Sequence, residues 1–483
     1  MGPGLAQKQR VENRIRVDKQ RVVFYNFTME RSAASDLLNW IKSSGRKPLV
    51  LRGARQVGKT WLVRDLVRRV DLKLIELNFE YDPAWADCFV DNSPKRILER
   101  VGMRLGYRLE PTSILLFLDE IQAFGAGFAK LRWFAEKLPE LPVVAAGSLL
   151  DFALSEHDFS MPVGRVGFYN LNPLGFDEFL FAHGQDLLLE RLSEWRPAST
   201  LESVVHEQGA LWMERFAMTG GMPWIASLDV EGRTSESIRS AQRQLMATYR
   251  ADFSKYSGRM SADMLDKVLR AVAHQLGGKF VFSKVAANTV HRQVKAALEL
   301  LVKARICQNV TFSAGNGIPL AAEAKDKFRK VGLLDVGLLH ALVDTPATPT
   351  FPRLDELVPA LRSKISEQLT VQQLRHLGAH DGDPSELFYW QREGGRPGEI
   401  DHLVEMHGRI IPLELKSGSA GSMKSLHQFV FDKRLDLAVR IDANPPSVMT
   451  VDVKTTLGDG VRYRLLSLPQ YLLFNLKVIL AGL

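Results

Sequence analysis

Leu49-Val-Leu-Arg-Gly53-Ala54-Arg55-Gln56-Val57-Gly58-Lys59-Thr60 decides how the rest of the chain is read. Leu49–Leu51 is a short apolar strand, and Trp61 to Val70 has the apolar spacing of a helix. Between them Gly53 to Thr60 matches GxxxxGK[ST], in the strand–loop–helix setting that a phosphate-binding loop requires. The two glycines let the backbone curl so that successive N–H groups face phosphate oxygens, and the helix start adds its positive end. Gly53, Ala54, Arg55, Gln56, Val57 and Gly58 would form the cradle. Lys59 would reach the β- and γ-phosphates of ATP, and the Thr60 hydroxyl would ligand Mg²⁺.

Moving outward, Leu72–Asn78 alternates like a strand, while Ile114–Leu118 and Val143–Ala146 are apolar runs of buried-strand type. Strands alternating with helical patterns imply an α/β fold with a parallel sheet covered on both faces. Ile114 to Leu118 ends in Asp119-Glu120, so the two carboxylates sit at a strand tip, where ligands of open α/β sheets bind. Asp119 would hold Mg²⁺ through water, and Glu120 would polarise the attacking water. Ser148 follows the next strand. It is a candidate for sensing the γ-phosphate or positioning water, and equally an N-cap for a helix over Leu149 to Ala153. Arg165, in Pro162-Val-Gly-Arg165-Val, is a candidate arginine finger; acting in trans it would require a homo-oligomer.

Five stretches together resemble a family of bacterial and archaeal AAA-like P-loop ATPases. They are Leu51–Thr60, Leu118-Asp-Glu-Ile-Gln122, Gly147-Ser-Leu-Leu150 with Gly164-Arg165, Pro173-Leu-Gly-Phe-Asp-Glu-Phe-Leu180, and Gly220-Gly-Met-Pro223. The resemblance runs from about Met29 to the C-terminus. It implies an AAA-like ATPase core followed by a C-terminal domain of unknown function that looks like a PD-(D/E)xK restriction-endonuclease fold.

The remaining segments divide by pattern. Residues 1–28 are rich in Arg and Lys and lack the apolar core of a signal peptide, so they read as a basic arm, or as sequence upstream of a true start at Met29. Residues 29–170 form the ATPase core and 171–256 a helical region. Over 257–342 the order is helix (Leu265–Gln275), short helix (Ser283–Ala287) and a longer helix capped by Thr289. A strand (Arg305–Phe312), a turn (Ser313–Gly317) and a second strand (Ile318–Ala322) complete a winged-helix order. Val290, Val294, Ala297, Leu298 and Leu301 share one face of the longer helix, leaving His291, Arg292, Lys295 and Lys303 outward; the module either contacts DNA phosphates through them or only packs against the core or a neighbour. The Pro-, Thr- and Asp-rich stretch from Val343 onward makes 343–360 a linker, and 361–483 a separate domain.

In that last domain Glu399-Ile-Asp401 and Ile410-Ile-Pro-Leu-Glu414-Leu-Lys416 read as two strands of a hairpin turning at His407-Gly408. Alternation puts Glu414 and Lys416 on one face, which Asp401 can share. D…ExK is a common surface pattern by itself. With the resemblance it implies a nuclease-like site in which Asp401, Glu414 and Glu367 hold Mg²⁺ and Lys416 stabilises charge. Gln391 and Gln428 would be accessory. Either the domain cleaves DNA or it only binds DNA or a protein partner.

Composition permits this reading and excludes others. The chain has 483 residues and a net charge of +8, a basic excess that suits an acidic partner such as nucleic acid. Cys88 and Cys307 stand alone, without CxxC or Cys/His clustering, which disfavours a disulfide framework or a structural zinc and fits a reducing cytoplasm. No apolar run reaches the roughly 18 residues of a membrane span, and the apolar C-terminus reads as a packed strand or helix.

Overall fold

The computed structural model describes residues 29–148, 150, 164–256, 260–286, 290–346, 350–378, 386–394, 398–416 and 423–483. The basic arm, Thr289 and all of the expected Leu149–Ala153 helix except Leu150 lie outside the described residues. Two sheets organise what is described. The first contains β1 (Leu49–Arg52), β2 (Lys73–Asn78), β3 (Ile114–Asp119), β4 (Val143–Ala146) and β5 (Gly167–Asn170), in the order β2-β3-β4-β1-β5. All pairs are parallel. Alternate residues of β3 feed opposite cores: Leu115 and Phe117 face one cluster, while Ile114, Leu116 and Leu118 face the other. This explains the unbroken apolar run, since a strand covered on both faces has no polar side to show.

The second sheet is mixed and has eight strands. It comprises β6 (Cys307–Ser313), β7 (Ala324–Leu333), β8 (Leu387–Gln391), β9 (Glu399–Met406), β10 (Arg409–Leu415), β11 (Leu437–Ile441), β12 (Ser447–Lys454) and β13 (Gly460–Leu468). The order is β12-β13-β11-β10-β9-β8-β6-β7. The β9–β10 hairpin turns at His407 (φ 52°) and Gly408 (φ 69°), two left-handed residues that match the twist of a two-residue hairpin.

The wing expected over residues 305–322 forms differently. The helices Ala262–Gln275 and His291–Lys303 and the strand β6 are present, with a single 3₁₀ turn, Phe282–Lys284, as the short helix. However, the partner of β6 is β7, beginning at Ala324, and Leu320–Glu323 is a 3₁₀ turn. The other edge of β6 pairs with β8. A wing needs free strands to flank DNA, whereas these two hydrogen-bond into the sheet of the C-terminal residues. For the same reason 343–360 is a connection along one continuous sheet, and one apolar cluster runs from the five-stranded sheet into the eight-stranded one. Val290, expected in the buried stripe of the longer helix, precedes that helix and is 59% exposed, while Val294, Ala297, Leu298 and Leu301 are buried as their spacing requires. The C-terminal residues form a 3₁₀ turn and a helix (Leu476–Ala481), and Tyr471 lies on Gly209, donating to or accepting from His206 Nδ1 at 2.7 Å. Among the described residues no helix is long and apolar enough to cross a membrane.

Candidate nucleotide site and C-terminal carboxylate cluster

The loop after β1 turns through Gln56 (φ 65°) and Gly58 (φ 96°) before the helix Lys59–Arg68 begins. A Cβ on Gly53 would meet the Leu171 carbonyl oxygen at 2.5 Å, so close backbone approach excludes any larger residue there. Lys59 is 7% exposed, and its Nζ donates to the carbonyl oxygens of Gly53 and Ala54, each at 2.9 Å. Burial lowers its pKa to about 8 against the opposing pull of Glu120 and Asp119.

β3 delivers its carboxylates beside this loop. Asp119 Oδ2 accepts from Thr60 Oγ1 at 3.2 Å and from Asn78 Nδ2 at 3.1 Å. Burial pushes the Asp119 carboxyl up to about 6, with the charges of Glu120 and Glu76 adding to the effect. Glu120 follows in the left-handed region, φ 50°. This turns its side chain into the cleft, where Gln122 Nε2 donates to Glu120 Oε2. Gly147 leaves room for that amide, because a Cβ there would lie 1.9 Å from Gln122 Oε1.

The resulting cleft is about 480 Å³. Lys59, Thr60, Glu120 and Ser148 line it from the core, and Pro223, Trp224, Gln244 and Thr248 from the helical region. Thr60 and Asp119 already place two oxygens together, the donor set a Mg²⁺ ion would share. Thr60 would hold the ion directly and Asp119 through water, and the ion would neutralise phosphate charge.

Two arginines tie the loop to its surroundings: Arg31, which nothing local in the sequence marks, and Arg55 of the loop itself. Arg31, wholly buried just before the helix Ser32–Lys42, donates to the carbonyls of Val57 at 2.9 Å and Asn172 at 2.6 Å. It ion-pairs with Glu178 at 3.1 Å, and Glu178 also accepts from Ser32 N and Gly175 N. The Pro173–Leu180 motif is thus an anchor for the phosphate loop. Arg55 pairs with Asp252 of the helix Ser235–Tyr256 at 2.8 Å, and its carbonyl accepts from Tyr249 Oη at 2.8 Å. The Gly220–Pro223 stretch joins both sheets: Gly221 N donates to the buried Asp335 at 2.6 Å, while Gly221 O accepts from Leu174 N at 2.7 Å.

Arg165 lies elsewhere. Gly167 pairs with Leu49 and Asn170 with Arg52, so β5 runs alongside β1 and Arg165 precedes its start. It therefore stands at the end of the sheet opposite the phosphate loop, half-exposed and paired with Glu136 at 2.8 Å. A finger acting on the nucleotide of its own chain is excluded by this register.

The C-terminal hairpin does bring Asp401 and Glu414 to neighbouring strands. Asp401 Oδ2 accepts from Leu415 N at 2.9 Å, and Lys416 Nζ pairs with Glu414 Oε1 at 2.8 Å. Burial, reinforced by the Asp401 charge, pushes the Glu414 carboxyl up to about 7. Glu367 turns toward His402 Nε2, 3.7 Å away. Gln391 is buried on β8. Gln428 serves its own helix and loop, donating to Asp432 Oδ1 and accepting from Thr456 Oγ1.

The expected metal trio is not assembled: among the described residues no group of three or more His, Cys, Asp and Glu side chains is placed to hold a metal ion. Beside Asp401 stands Lys330 of β7, which the sequence did not single out. Its Nζ lies 2.5 Å from Glu399 and 3.3 Å from Asp401.

Residues 45–180 match the family model of an AAA domain, in agreement with an AAA-like P-loop ATPase. Residues 211–348 and 362–459 match two domains of unknown function, DUF8612 and DUF4143. Among solved structures, the Walker-type ATPase PABY2304 of Pyrococcus abyssi is 17% identical, covering 65% of this chain and 96% of its own, with a TM-score of 0.42. The Aeropyrum pernix ORC1 protein in complex with DNA is 18% identical over 68% of this chain and 95% of its own, TM-score 0.29. The ORC2 protein of the same organism, in ADPNP–ADP complexes, is 14% identical over 66% and 95%, TM-score 0.35. No curated protein matches the sequence.

Proposed function

We propose that this chain is an ATP-hydrolysing switch that acts on DNA through its second sheet and the helices packed on it. The observation that carries the proposal is the single cleft shared by Lys59, Thr60, Glu120 and Ser148 with Pro223, Trp224, Gln244 and Thr248. A nucleotide bound there touches the AAA domain and the helical region together. In the reaction Lys59 gives up its two carbonyls for the β- and γ-phosphates. Glu120, held by Gln122, orients the attacking water and accepts its proton. The P-loop N–H groups offset the charge on the transferring phosphoryl group.

DNA contact is supported by the helix His291–Lys303, whose buried stripe leaves His291, Arg292, Lys295 and Lys303 exposed on one side. Phosphate release with and without duplex DNA tests the reading. DNA should stimulate turnover, and Arg292→Ala with Lys295→Ala should lower the salt slope of DNA binding by about 0.9 per lost phosphate contact. Hydrolysis with no DNA binding would leave the second reading, a nucleotide-dependent scaffold for a protein partner. Assembly as a homo-oligomer, with Arg165 serving a neighbour, belongs to the same proposal.

A further inference from the structure

Asp401, one of the carboxylates that the resemblance reserves for Mg²⁺, already has a cation beside it. Lys330 is 3% exposed, although it sits on the edge strand β7. Its side chain crosses Tyr389, with Nζ 5.3 Å from the ring centroid, and ends between Glu399 and Asp401. Both oxygens of Asp401 are engaged, one by Lys330 and one by Leu415 N. One oxygen of Glu414 is held by Lys416, and the other is buried without a partner. A divalent ion needs several oxygens free to converge at about 2.1 Å. Here Lys330 sets a charge of its own against the Glu399 and Asp401 side chains of β9, and a metal entering beside it would meet like-charge repulsion in a low-dielectric setting.

We propose that Lys330 is the resident cation of the D…ExK cluster. The C-terminal domain therefore binds no Mg²⁺ there and cleaves no phosphodiester through it. The cluster is instead an interlock between β7 and the β9–β10 hairpin. A β-strand pairs only with its neighbours, so β7, at the outer edge, is hydrogen-bonded to this sheet through β6, and Lys325 adds an ion pair at 2.6 Å to Glu393, just beyond β8. Lys330 reaches past β6 and β8 to β9. It thereby fastens the arm that carries the basic helix His291–Lys303 to the C-terminal domain, so that the two respond to nucleotide as one body.

The test uses full-length protein without nucleotide, so that the P-loop contributes no tight metal site. Mn²⁺ uptake is followed by electron paramagnetic resonance, and melting temperature with and without Mg²⁺. Wild-type protein should take up no Mn²⁺ at the cluster, and its melting temperature should not respond to Mg²⁺. Asp401→Asn should melt several degrees lower, because the buried Lys330 loses one of its two carboxylate partners. Lys330→Met should also melt lower and should be partly restored by Mn²⁺, now admitted to the cluster. The opposite pattern overturns the inference. In an empty metal site, removing a carboxylate relieves repulsion, so Asp401→Asn would raise the melting temperature and abolish a Mn²⁺ ion bound by wild type. A Lys330→Met variant as stable as wild type would also overturn it. The Asp401→Asn comparison stands even if Lys330→Met does not fold.

Discussion

Lys59 and Lys330 are both almost fully buried, and both lie near carboxylates, yet their charges are balanced in different ways. Lys59 is held by two backbone carbonyls, with Glu120 and Asp119 near but not touching, and burial lowers its pKa to about 8. At Lys330 burial acts in the same direction, but contact with Glu399 and Asp401, aided by Glu367, outweighs it and holds the ammonium charged above the usual lysine range. The difference separates two uses of one side chain. A lysine kept for a ligand is left short of countercharge until the ligand arrives, and a lysine kept for the fold carries its countercharge with it.

The sharpest contrast should come from removing each. Lys59→Ala should reduce steady-state phosphate release about 100-fold or more while leaving the melting temperature near wild type. Glu120→Gln should do the same to turnover while ATP still binds in calorimetry. Lys330→Met should change turnover less than about twofold and lower the melting temperature. A Lys330→Met protein that is fully stable yet inactive would collapse the distinction. Arg31 offers a third buried cation, structural like Lys330 but sited at the nucleotide loop. Arg31→Ala strands Glu178 and should cost about 3–5 kcal/mol in denaturant unfolding, with weaker ATP binding as the loop loses its brace.

Proton linkage tests the Lys59 side directly. In the nucleotide-free protein its folded pKa, about 8, lies below the ordinary lysine value of 10.5. Between these values the unfolded chain binds more protons, so Lys59 makes stability rise with pH across that window. ATP restores the missing countercharge. Binding at pH 8.5 to 9 should therefore take up on the order of one proton, and binding at pH 6.5 almost none. Calorimetry in buffers of different ionisation enthalpy measures this, and equal uptake at both pH values would contradict it. The smallest effect is expected at Arg165. Arg165→Ala in dilute protein should leave turnover within about twofold, because its partner is Glu136 at the far end of the sheet. A loss that appears only as protein concentration rises would place Arg165 in a neighbour's site.

Much of the candidate nucleotide site was legible because its chemistry is contiguous. Gly53 to Thr60 must bend around phosphate in one piece, and the apolar run before Asp119 announces a strand buried on both faces. The C-terminal hairpin was legible for a similar reason, since period-two alternation and His407-Gly408 settle which side chains share a face. The positions of Arg165 and of the expected wing were not legible. The first depends on which end of β5 aligns with β1, and the second on what occupies the far edge of β6.

By itself, then, the sequence determined a P-loop α/β core, the Lys59–Thr60–Asp119–Glu120 set and a hairpin on which Asp401 and Glu414 can share a face. Each of these follows from spacing within a few residues or from the period of a strand. Only the tertiary structure decided that Arg31 and Asp252 brace the loop, that β6 and β7 belong to the C-terminal sheet, and that Lys330 lies among the carboxylates. These contacts join residues 26 to 197 positions apart. Which of many buried or half-buried charges meet at such separations is set by strand order and register, and no local pattern encodes it.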